Sequence, residues 1–130
     1  MPYMIMDHEI DPAEKLKTDI GDISGVEIFN NQILCAVYIR PQKTKRGIIL
    51  ANETTDEDRF QSKVGLIVKM GPQAFVDETN SWFSKNDAKV GEWIVFRPSD
   101  SWSITVNGVL CRILDDTSVR GRVNHPDIVW

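Results

Sequence analysis

The chain has 130 residues, 42% of them hydrophobic and 26% charged, with eight Gly and six Pro; this fits one soluble domain with a single core and favours an all-β fold over a helical bundle. A net charge of −4 argues against a nucleic-acid partner, and residues 43–46 are too short a basic cluster to supply one. No apolar run approaches the ~18 residues of a membrane span, and residues 1–6 lack the charged start and apolar core of a secretory signal, so a cytoplasmic location, or an assembly built there, is expected.

Residues 1–25 read as an acidic N-terminal arm, with Asp7, Glu9, Asp11, Glu14, Asp19 and Asp22 set against Lys15 and Lys17. Within it, Asp11 as cap and Pro12 at the first helical position predict a short helical turn to about Lys17. A first strand region spans 26–41, bent at Asn30-Asn31. Alternation puts Ile33, Cys35, Val37 and Ile39 on one face and Leu34, Ala36 and Tyr38 on the other. A strand apolar on both sides needs cover on both, from a second subunit or from its own chain.

Residues 42–62 fit no regular element. A basic limb leads into the bare patch Gly47-Ile48-Ile49-Leu50, and residues 52–59 are acidic. That patch is either a short strand folded on the core or an exposed docking segment. Residues 63–71 form the next strand, with Val64, Leu66 and Val68 on one side and Gly71-Pro72 as its stop. An insertion over 72–88 follows, carrying Phe75, Trp82 and Phe83, which are costly to leave in water. Lys89-Val90-Gly91-Glu92 turns into the strand ending at Phe96. Pro98-Ser99-Asp100-Ser101 turns again, and Trp102 to Val106 alternates as a strand. Asn107-Gly108 marks a tight hairpin, a strand returns over 109–114, Asp115-Asp116 turns, and residues 117–123 give a last short strand. Residues 124–130 form an apolar-ended tail.

Little catalytic chemistry is offered. His8 and His125 lie in the terminal segments and read as surface histidines, and no nucleophile elbow, phosphate loop or zinc helix motif is present. Residues 56–58 and Asp115-Asp116 read as solvated carboxylates. Cys35 and Cys111 read as reduced core thiols, a disulfide requiring adjacent strands, and neither a metal nor another cofactor is expected. Binding and assembly, not enzymatic activity, are the expectation.

The order of these features, from Ile28 to Val123, resembles the GroES co-chaperonin family. The resemblance rests on Lys89-Val90-Gly91-Glu92 leading into Ile94-Val95-Phe96, on Gly65 to Gly71 ending in Met70-Gly71, and on Gly47-Ile48-Ile49-Leu50. It implies a small GroES-like β-barrel over 26–123, with a mobile-type loop and a roof-type hairpin insertion. It further implies a homo-oligomeric seven-membered ring that caps a GroEL-type chaperonin and assists protein folding. Gly47, Ile48, Ile49 and Leu50 would then be the loop patch that docks on the chaperonin, and Phe75, Trp82 and Phe83 would belong to the roof. Val119, Arg120, Arg122 and Val123 would form the strand that meets the neighbouring subunit. Arg46 stands where the family usually has a first glycine, and the loop's N-terminal limb is short. A second reading keeps the barrel but makes it a structural protein of a larger assembly, such as a viral capsid or neck, whose loops and termini staple neighbours. A third, a small barrel enzyme or ligand-binding module, would need a concave pocket with convergent polar groups.

Overall fold

In a computed structural model, residues 10–40, 61–76 and 87–129 are described. One α-helix, six strands and three 3₁₀ turns are the named elements among them. Helix α1 spans Pro12–Ile20; Asp11 caps it by accepting from the Glu14 N–H at 3.4 Å, and Pro12 sits in the first turn. It runs a turn beyond the expected end at Lys17 because Leu16 and Ile20 find apolar cover on the sheet. Gly21, at φ +63°, then ends it by donating its N–H to the Lys17 carbonyl at 3.1 Å.

The strands are β1 (Gln32–Val37), β2 (Val64–Met70), β3 (Trp93–Phe96), β4 (Ser101–Val106), β5 (Val109–Asp115) and β6 (Val119–Val123). They form one antiparallel sheet in the order β4-β5-β1-β2-β3-β6. The all-β expectation holds at this level, and Asn107 (φ +49°) and Gly108 (φ +81°) make the tight hairpin predicted between β4 and β5.

Connectivity bends this sheet. In a flat sheet, β3 and β4 would lie four strand spacings apart, about 19 Å at ~4.8 Å each. Only five Cα steps join Phe96 to Ser101, at most ~18 Å when fully extended, and the 3₁₀ turn Pro98–Asp100 shortens them. The sheet is therefore curled, and Arg120 on β6 lies 3.7 Å from Asp100 in the turn before β4.

The sequence's alternation is obeyed on both faces. The concave side gathers Ile33, Cys35, Ile67, Ala88, Ile94, Phe96 and Leu114. On the other side, Leu34, Ala36 and Cys111 lie under Ile20 and Ile28 together with Leu16, Ile23 and Val26, while Tyr38, Val64, Leu66 and Trp93 meet Ala13, Leu16 and Val129. The second face of β1 is thus covered by the chain itself. Residues 10–25 and 124–129, read from the sequence as an arm and a tail outside the barrel, lie against the sheet. Polar ties hold them there. Asn107 Nδ2 donates to the carbonyls of Ile20 at 2.7 Å and Asp22 at 3.0 Å, and Lys69 Nζ to that of Ile23 at 3.0 Å. At the other terminus, the Tyr38 hydroxyl donates to the buried carboxylate of Asp127, whose own N–H donates to His125 Nδ1 at 3.1 Å.

Cys35 and Cys111 are on adjacent strands, yet Cys35 faces Arg112 across the ladder and Cys111 faces Ala36. Their side chains therefore point to opposite faces, and both thiols are free. Burial, then the neighbouring Cys111, pushes the Cys35 thiol from 9.0 up to about 12; burial pushes Cys111 up to about 11. An unfolded thiol ionises near 9 while these keep their protons, so stability present below pH 9 is lost as pH rises towards 11–12. Urea unfolding from pH 8 to 11 is expected to show this decline, with a shallower slope in Cys35→Ala.

Two glycines give a matched test of packing. A Cβ at Gly71 would lie 2.4 Å from the Asn30 carbonyl oxygen and 2.7 Å from that of Phe29, both rigid backbone, whereas one at Gly121 meets nothing within 4 Å. Gly71→Ala is expected to cost about 1–3 kcal/mol in urea denaturation. Gly121→Ala should stay within about 0.5 kcal/mol of the parent.

Candidate functional site

Strand β2 carries an insertion at each end. Residues 38–63 leave β1 and enter the start of β2; residues 71–92 leave its end and enter β3. Because β1 and β3 both run antiparallel to β2, the two insertions emerge at opposite ends of that strand. Gly47, Ile48, Ile49 and Leu50 lie outside the described residues, as do Trp82 and Phe83. What is described are the stems, and both are braced.

At the first stem, the Tyr38 N–H donates to the Val64 carbonyl at 3.0 Å, and the buried Ser62 hydroxyl donates to the Tyr38 carbonyl at 2.6 Å. The Tyr38 ring meets Trp93 edge-on, with centroids 5.6 Å apart. Arg40, itself buried, is the last described residue before the loop. This β1–β2 crossing is therefore closed by backbone, hydroxyl and aromatic contacts together.

At the second stem, Gly71 and Gln73 donate their N–H groups to the carbonyls of Gln32 at 2.8 Å and Asn30 at 2.9 Å. Phe75 has a left-handed backbone, φ +58°, and its half-buried ring packs on the concave core. A carboxylate holds it there. Asp116 accepts from the Phe75 N–H at 2.9 Å with Oδ2 and from Asn31 Nδ2 at 3.0 Å with Oδ1, while its own N–H donates to the Asn31 carbonyl at 3.1 Å. The solvated-turn reading of Asp115-Asp116 holds for exposed Asp115 and fails for buried Asp116. One signal was available: Arg112 and Leu114 are inward residues of β5, and Asp116, just past its end, continues that alternation.

On the return side of this insertion, Arg122 of β6 donates to the Asp87 carbonyl at 2.8 Å and pairs with Glu92 at 3.1 Å. Glu92 also accepts from the Lys89 N–H at 2.8 Å, closing the turn at Gly91 (φ +93°). Of the residues expected at a subunit interface, Val119 packs on the concave core and Val123 on the Tyr38–Trp93 cluster. Arg120 and Arg122 remain on the exposed strand, each with an acidic partner in its own chain. Arg97 donates to Asp100 with Nη2 at 3.0 Å and holds that carboxyl below its usual range.

An open cleft of about 460 Å³ lies beside this edge, lined by Gly91, Glu92, Trp93, Arg122, Val123 and Asn124. Its two charged side chains pair with each other. Among the described residues, no group of three His, Cys, Asp or Glu is gathered for a metal, and no helix is long and apolar enough to cross a membrane. No family model and no curated protein matches this chain.

Asp116 is the residue on which the second stem turns. Asp116→Ala removes the carboxylate to which the Phe75 N–H and the Asn31 amide donate and is expected to cost about 1–3 kcal/mol, read as a lower urea midpoint. Limited proteolysis should show faster cleavage within 72–88, with cleavage within 41–60 unchanged.

Proposed function

We propose that this chain is a co-chaperonin-like cap: a GroES-like β-barrel whose Gly47-Ile48-Ile49-Leu50 patch docks on a GroEL-type chaperonin ring and assists protein folding in the cytoplasm. The observation that carries this reading is the placement of two long insertions at opposite ends of one central strand. A cap needs one segment directed at its partner and another directed over the enclosed space. The curled sheet supports the barrel reading, with Arg120 of β6 reaching Asp100 in the turn that precedes β4. Val119, Arg120, Arg122 and Val123 lie on the edge strand by which subunits would join into a heptameric ring.

The energetics suit reversible capping. Burying three aliphatic side chains contributes ~1.5–3 kcal/mol each, while ordering a loop costs ~1–2 kcal/mol per residue, so a single loop binds weakly. Loops arrayed on a ring bind together through effective concentration and still release. The reading as a structural assembly protein has less support from the described residues, because α1 and the turn at Pro126–Ile128 are engaged by their own sheet.

Native mass spectrometry with a chaperonin tetradecamer and ADP tests the proposal. Wild-type protein is expected to form a ring and bind, and Ile49→Asp to keep the ring but lose the complex, because each copy would have to bury a charge. Failure of the wild-type protein to bind, or equal binding by Ile49→Asp, contradicts the cap.

A further inference from the structure

The two ends of the sheet are built differently. Strand β6, Val119–Val123, carries Arg120, Gly121 and Arg122, and its pairing with β3 is interrupted by a register shift. Charge and irregular register are how natural sheets discourage a strand from pairing further. Strand β4 has none of these devices. Its sequence, Ser101-Trp102-Ser103-Ile104-Thr105-Val106, contains no charge, proline or glycine, and it pairs with β5 in unbroken register over all six residues. Among the described residues its other edge has no strand beside it. Trp102 is 78% exposed, and Ser103 and Thr105 are exposed as well.

We propose that the outer edge of β4 is a self-pairing strand, and that its occupant is β4 of a second copy of this chain, antiparallel about a two-fold axis through Ser103. Self-pairing is what the residue pattern fits. In that register Trp102 faces Ile104 of the second copy on the convex side, twice over, giving two aromatic–β-branched pairs. Ser103 meets Ser103, and Ser101 meets Thr105, so hydroxyls oppose hydroxyls on the other side. With no charge on the strand, nothing repels its own copy. The same operation on β6, centred on Gly121, would set Arg120 against Arg122 of the second copy, a like-charge pair. The contact is isologous and closed, so it pairs two copies of the chain, and it does not depend on the cap reading. Six residues bury less than a standard interface, and association is therefore concentration-dependent.

Sedimentation equilibrium of the full chain tests this with Ser103→Lys, Ser103→Glu and their equimolar mixture. Ser103 is exposed but faces Arg112 across the β4–β5 ladder, so both variants should keep the wild-type circular dichroism, with the urea midpoint slightly lower in Ser103→Lys than in Ser103→Glu. Wild type is expected to reach twice the mass of either variant at high concentration, with association weakened roughly tenfold in each variant. The mixture should regain the doubled mass, because Lys then faces Glu. Equal masses for wild type and Ser103→Lys at every concentration would overturn the proposal. So would a mixture that stays at the mass of the single variants, since the strand beside β4 would then not be a second β4.

Discussion

Strand β1 is apolar on both faces, and the rest of the fold is arranged to keep water from both. Ile33 and Cys35 are inside the curl, where Phe96, Ile94 and Leu114 enclose them. Leu34 and Ala36 face outwards and would be stranded in water on an uncovered wall. Helix α1, the segment that follows it and the C-terminal turn supply the missing layer. This accounts for two features that look unrelated in the sequence: an acidic helix-forming segment before the first strand, and the apolar Val129 after the last.

That coverage has a consequence for function. Once both faces of the central strand are occupied, the wall of the domain offers little that is not already engaged in holding it together. What is left over are the insertions at either end of β2, the charged edge of β6 and the uncharged edge of β4. The stems of the insertions are braced by groups of different kinds, a serine hydroxyl and an aromatic pair at one and the carboxylate of Asp116 at the other. Each is anchored to the frame independently, so one can change its engagement without the other being released.

Much of the frame was legible in the sequence because it follows from period-two alternation and turn chemistry. The two faces of β1, the side shared by Val64, Leu66 and Val68, and the Asn107-Gly108 hairpin all come from local rules. The covering layer was not legible in the same way. Leu16, Ile20, Ile23 and Val26 become meaningful only against an outer sheet face that needs them, and helix propensity alone stops near Lys17. Asp116 was missed because two adjacent aspartates look alike as letters, and only strand parity distinguishes the exposed one from the buried one. The Tyr38–Asp127 contact joins residues far apart in the chain, and no local signal announces it. Of the candidate site residues, Phe75, Val119, Arg120, Arg122 and Val123 can be followed into the structure, where all but Arg120 and Arg122 pack on apolar clusters.

The proposed function places partner binding in an insertion and not in the frame, whose faces are covered by its own chain. Amide hydrogen exchange, followed along the chain before and after adding a chaperonin ring with ADP, tests it most directly. The account predicts new protection confined to residues 41–60 and centred on Ile48, Ile49 and Leu50, with β1, β2, α1 and the C-terminal turn unchanged. Protection appearing instead in α1 or in residues 124–130, with none in 41–60, would contradict it and identify the termini as the binding elements.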